Sequence, residues 1–179
     1  MAQTTETPPY FHALAVFACK SNRLYRVYVR PDELVLIWAG SGTEGMIGAQ
    51  VTLGELGKAA LDPSDKNAAR RMVLDRTPLE KLIDDHPKNM RAPVGGFTEV
   101  RIGKRSNRHA RVYSDHGHQA LLYLRHQALG KYLLGIASAA DVHVAMTELP
   151  RVLGDVYKAE IEPPERDQKC GCPFCASRR

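Results

Sequence analysis

Three features predict an α+β domain that is mainly β. Hairpin patterns stand at both ends of the chain, an all-helical stretch separates them, and one amphipathic helix follows the last strand. In the first hairpin Tyr25, Val27 and Val29 alternate with Arg26, Tyr28 and Arg30, and Pro31-Asp32 leads into a second run, Glu33 to Trp38. The strand period returns at Phe97 and persists to Ile136. Six or seven strands are expected in all.

Taken in order, residues 1–9 are polar and contain proline, which predicts a disordered start. Residues 11–18 read as a strand or a short helix. Proline at the second position of a tight turn presets φ, so 24–30 and 33–39 form the hairpin. The run Leu34-Val-Leu-Ile-Trp38 is apolar on both faces and predicts cover on both. Residues 40–92 show no strand signal and predict a helical insert between the third and fourth strands. Ser64 is placed to cap a helix through Leu74, and Thr77-Pro78-Leu79-Glu80 spells a capping box with proline at the first helical position. That second helix carries Leu79, Leu82 and Ile83 and must stop before Pro87. Beyond Phe97, residues Thr98, Val100 and Ile102 share one strand face. Segments 109–114 and 119–125 flank a turn at Asp115-His116-Gly117-His118, and Tyr132, Leu134 and Ile136 continue the pattern after Gly130. Ser138-Ala-Ala-Asp141 is a second capping box. It opens a helix with Val142, Ala145, Met146, Leu149, Leu153 and Val156 on one stripe, with a kink expected at Pro150. The chain then divides into a domain over 10–157 and a flexible tail over 158–179.

The length of 179 residues fits one domain, and 44% apolar with 25% charged residues is ordinary for a globular protein. No apolar run reaches the ~18 residues a membrane span requires, and the N-terminus has no cationic start before an apolar stretch. A cytoplasmic location is the expectation. The net charge of +5 equals the charge of Arg101, Lys104, Arg105, Arg108 and Arg111, a segment with no acid.

The hairpin LYRVYVRPDELVLIW, the strand FTEVRI, the hairpin ARVYSDHGHQALLYLR and the helix SAADVHVAMTELPRVLG together resemble the pleckstrin-homology superfold. The resemblance is architectural and covers about residues 10–157. It implies an antiparallel barrel or sandwich of six or seven strands, with the terminal helix plugging one open end. Lipid-binding members of that family often carry a basic cluster on the first strand pair, where this chain has Lys20, Arg23, Arg26 and Arg30.

Four groups of residues invite chemistry. Gly40-Ser41-Gly42-Thr43-Glu44-Gly45 follows a strand in the spelling of a dinucleotide-binding turn, but hairpins follow it where alternating strands and helices would be expected. A slack exit into the insert is the preferred reading. Cys170, Cys172 and Cys175 could converge on a zinc ion, with a fourth ligand to be found, or form a free thiol tail or a redox pair. Cys19 lies in an apolar run and reads as a buried small hydrophobe. His116 and His118, with His109 or His126 on neighbouring strands, could ligate a metal or simply form a polar hairpin tip. The basic residues Arg101, Lys104, Arg105, Arg108 and Arg111 call for solvent or an anion.

The expectation is a non-enzymatic binding module that recognises an acidic protein surface or, second, an anionic phospholipid headgroup through this basic hairpin. Nucleic acid ranks lower, because only Tyr113 is near for stacking. The alternatives are a zinc-binding protein associated with nucleic acid, and a nucleotide-binding enzyme using Gly40–Gly45. No carboxylate pair or nucleophile elbow suggests catalysis.

Overall fold

The computed structural model describes residues 7–15, 23–41, 65–104, 120–136 and 138–163. Among them eight strands form one sheet: β1 (Tyr10–Ala15), β2 (Arg23–Val29), β3 (Glu33–Ser41), β4 (Met90–Pro93), β5 (Phe97–Gly103), β6 (Ala120–His126), β7 (Gly130–Ile136) and β8 (Tyr157–Ala159). Helices α1 (Asp65–Arg76) and α2 (Leu79–Ile83) lie between β3 and β4, and α3 (Ala139–Leu153) follows β7. The sheet order is β4-β3-β2-β1-β7-β6-β5-β8.

Eight strands replace the six or seven expected. The additions are short. Met-Arg-Ala-Pro has too few residues to display a period, and its pairing of Met90–Pro93 with Leu36–Glu33 is what makes it β4. Tyr157–Ala159, which straddles the expected end of the domain at 157 and start of the flexible tail at 158, runs parallel to β5. The sheet is therefore mixed, not purely antiparallel. It is also open, because its edges β4 and β8 do not pair with each other. The expected strand at 109–114 and its hairpin turn lie outside the described residues.

Period-two alternation on β3 explains the packing. Leu34 and Leu36 join the core on one face, with Phe11, Val27, Val100, Leu122 and Leu134. Val35, Ile37 and Ala39 join a second cluster on the other face, with Leu74 of α1 and Leu79 and Leu82 of α2. The insert helices thus cover the outer face of β2 and β3, which is why this strand is apolar throughout. Burying Leu74, Leu79 and Leu82 contributes roughly 1.5–3 kcal/mol each.

On the inner face α3 supplies Ala139, Val142, Ala145, Leu149 and Leu153 as buried residues. Met146 and Val156 pack beside them half-buried, and the helix continues through Pro150 to Leu153. Its start is capped as expected: the Asp141 amide donates to Ser138 Oγ at 3.0 Å, and Ser138 Oγ donates to Asp141 Oδ2 at 2.6 Å. Asp141 Oδ1 also accepts from the His12 backbone N–H at 2.8 Å, which ties α3 to β1. Burial alone would push the Asp141 carboxyl up, but hydrogen bonds from His12 and Ser138 outweigh it and hold the carboxyl below its ordinary range. At α2 the capping box does not form. Pro78 is the N-cap and no side chain caps the helix.

Three buried polar side chains are each satisfied. Arg26 donates to Asp75 Oδ1 at 2.6 Å and to His12 Nε2 at 3.2 Å. Glu33 accepts two hydrogen bonds from Arg91 at 2.7 and 2.9 Å. His126 Nδ1 accepts from the Ala128 and Leu129 amides at 3.2 and 3.3 Å, which puts the proton on Nε2, 3.1 Å from the Pro93 carbonyl. Its ring meets Phe97 edge-on at 4.8 Å. One imidazole therefore joins the end of β4, the start of β5 and the β6–β7 turn.

Candidate functional site

Helical cover among the described residues lies over two parts of the sheet. The insert shields the outside of β2 and β3, and α3 shields the inside. The outward residues of β8, β5, β6 and β7 have no helix over them among the described residues. Inward alternation of Val100 and Ile102, Leu122 and Leu124, and Leu134 and Ile136 forces Arg101, Tyr123, Arg125 and Lys131 onto this outer face. The register then sets them side by side. Lys158 lies opposite Arg101, Arg101 opposite Tyr123, and Arg125 opposite Lys131. Lys104, Arg125, Lys131 and Lys158 are exposed.

Arg101 is the centre of this surface. Its Nε lies 2.8 Å from Glu99 Oε1, its Nη1 3.2 Å from Glu160 Oε1, and its guanidinium 5.2 Å from the Tyr123 ring centre. Two carboxylates thus already sit on it. Arg125 and Lys131 oppose each other directly with like charge, an arrangement that lowers sheet stability rather than raising it. Glu99 lies opposite Arg125 on its other side. On this face the four cations Arg101, Arg125, Lys131 and Lys158 stand with the two acids Glu99 and Glu160.

Of the sequence-predicted basic residues, Arg101 belongs to this face, and Lys104 is exposed just past the end of β5. Arg105, Arg108 and Arg111 lie outside the described residues. So do Cys170, Cys172 and Cys175, together with Cys19, His109, His116, His118 and Gly42–Gly45. His126 is the buried corner histidine described above. No group of three or more His, Cys, Asp or Glu is placed to hold a metal ion among the described residues. Gly40 and Ser41 close β3, whose two neighbours, β2 and β4, are both antiparallel to it, so the glycine string follows a strand of a meander and not of a crossover unit.

Arg125, Lys131 and Lys158 were missed as site residues because they are separated from 101–111 in sequence. Strand parity carries part of the signal, since Arg101 and Arg125 are both outward positions of strands read from the sequence. Lys158 had none, because β8 is not legible.

Two other places concentrate charge. A cleft of about 1150 Å³ between the start of β1, the end of β2, the α1–α2 turn and the second half of α3 is lined by Tyr10, Tyr28, Arg26, Arg30 and Arg151. Three of its four arginines are paired, Arg26 with Asp75, Arg30 with Glu33 and Glu80, and Arg151 with Glu148, and Arg76 also lines it. Around Trp38, His86 stacks at 4.3 Å and 18°, and Lys88 Nζ lies 4.8 Å from the ring centre. Arg70 donates to the Trp38 carbonyl at 3.3 Å and to Asp85 at 2.8 Å. Asn89 accepts from the Trp38 amide and donates to the Leu82 carbonyl. This cluster fastens the insert to β3. Burial, followed by the nearby charges of Lys88 and Arg70, pulls the His86 imidazole below its ordinary value.

No family model matches this chain, and no match is found among curated proteins or solved structures. No helix among the described residues is long and apolar enough to cross a membrane.

Proposed function

We propose that this chain is a non-enzymatic binding module of pleckstrin-homology-like architecture that recognises an acidic protein surface on the outer face of β8, β5, β6 and β7. The observation that carries the reading is the cross-strand row Lys158–Arg101–Tyr123 with the directly opposed pair Arg125–Lys131. A sheet gains nothing in stability from like charges set face to face, whereas an incoming carboxylate relieves both. Spread over four strands, these cations match dispersed carboxylates better than one compact headgroup. Arg105, Arg108 and Arg111 follow Lys104 in sequence and extend the same positive charge.

The test is binding of labelled polyglutamate to the full chain, with anionic vesicles as the second arm. Arg101→Glu combined with Arg125→Glu weakens polyglutamate binding by roughly tenfold at low salt, as two rim charges of up to about 1 kcal/mol each reverse sign. Unchanged affinity refutes the surface. Tighter binding to vesicles than to polyglutamate assigns the same face to phospholipid.

A further inference from the structure

We infer that β8 is an exchangeable strap: a built-in strand, followed at once by the acid Glu160, that holds the place of an extended segment of the partner carrying an acid at that position. The inference rests on the acidic-partner reading and names both what the partner presents and how access to it is controlled.

The strap adds to the edge of β5 by backbone pairing of Tyr157–Ala159 with Val100–Ile102, and the Glu160 N–H donates to the Ile102 carbonyl at 2.8 Å. Beyond that hydrogen bond its carboxylate reaches Arg101. Gly103 leaves the space this requires, because a Cβ there would stand 2.7 Å from Glu160 Oε2. On the inward side Tyr157 and Ile161 pack half-buried on the core. The strap thus displays a pattern: an aromatic residue, an acid three positions later on the outward side, and an aliphatic residue next to the acid. Any extended chain with that pattern satisfies the same edge, since the affinity comes from main-chain hydrogen bonds and the choice from alternate side chains.

Exchange is favoured by how the strap is held. It pairs over three residues, in parallel, at the outer edge of the sheet, and its one ion pair is exposed. The Tyr157 hydroxyl is buried without a hydrogen-bond partner among the described residues, so the inner socket does not reward this residue fully. Leaving β8 takes Lys158 with it, keeps Arg101, Arg125 and Lys131 in place for the incoming acid, and uncovers the edge of β5, an unpaired row of backbone groups that another strand will fill.

The probe is a labelled peptide of residues 155–163, added to the full chain. Glu160→Pro in the full chain removes both the N–H and the carboxylate that hold the strap. Glu160→Lys keeps the N–H, reverses the charge, and serves if the proline variant does not fold. The peptide binds either variant about tenfold more tightly than the native chain, equivalent to ~1.4 kcal/mol. Hydrogen exchange at the amide of Glu160, the strap's bond to the Ile102 carbonyl, quickens on peptide addition while β6 and β7 stay protected. Equal affinity for native and variant chains overturns the strap. If polyglutamate binding to the native chain is nonetheless lost on Arg101→Glu with Arg125→Glu, the acidic-partner reading survives that failure. If polyglutamate does not bind but the peptide shows the tenfold difference, the strap stands and the wider reading falls.

Discussion

Alanine at position 96 would place its methyl carbon 2.2 Å from His126 Nε2 and 2.6 Å from Cε1. Gly96 has no positive φ, so the substitution brings no backbone strain and the clash is the whole effect. The ring cannot retreat freely. It is held by the Pro93 carbonyl on one side, by the Ala128 and Leu129 amides on the other, and by Phe97 edge-on. Overpacking of this kind costs about 1–3 kcal/mol, and each lost hydrogen bond adds about 1 kcal/mol, so Gly96→Ala should destabilise by roughly 3 kcal/mol. His126→Ala should cost a similar ~3 kcal/mol through the vacated volume and the orphaned Pro93 carbonyl. The double variant is the decisive arm. With the imidazole gone the new methyl has room, so Gly96→Ala should cost less than about 1 kcal/mol in that background, a coupling of roughly 2 kcal/mol. Urea unfolding of the four proteins measures it. Additive losses would show that Gly96 and His126 act separately and that the β4–β5 corner is not organised around this ring.

Two further outcomes follow from the titrating groups. Burial pushes the Tyr157 phenol up to about 12, above its ordinary 10, so the stability it lends is complete below pH 10 and is lost as pH climbs from 10 toward 12. Tyr157→Phe should remove that alkaline loss and gain up to about 1 kcal/mol near neutrality by deleting an unpartnered hydroxyl. Identical alkaline unfolding of the two proteins would contradict the burial argument. Trp38 is the only tryptophan of the chain, so the tryptophan emission comes from the one ring on which His86 stacks. The fluorescence should titrate with a midpoint below 6.5, and Lys88→Ala should move that midpoint upward by removing a cation that opposes protonation. An unmoved midpoint would exclude Lys88 from the cluster's electrostatics.

Much of the fold is legible wherever side chains alternate over five or more residues. The strands around Val27, Leu36, Val100, Leu122 and Leu134 and the stripe from Val142 to Leu153 can be read directly. The two-sided apolar run of β3 also foretells the helices that cover it. β4 and β8 cannot be read, because three or four residues carry no period and their pairing is decided by what lies opposite. Arg26, Glu33 and His126 occupy positions that look outward or polar from the sequence. Their burial depends on the insert and on the β4–β5 corner, both tertiary features. For the site, Arg101 and Lys104 are visible as a charge run, whereas Arg125, Lys131 and Lys158 become neighbours only through strand register.

The central claim concerns that register-built surface, and its most direct measurement is the affinity of the full chain for polyglutamate as salt is raised. Binding at low ionic strength should fall steeply once the screening length drops to roughly 10 Å and below, and should be about tenfold weaker at the outset in Arg101→Glu with Arg125→Glu. Binding that ignores both salt and this double reversal would place the partner elsewhere on the molecule and contradict the account.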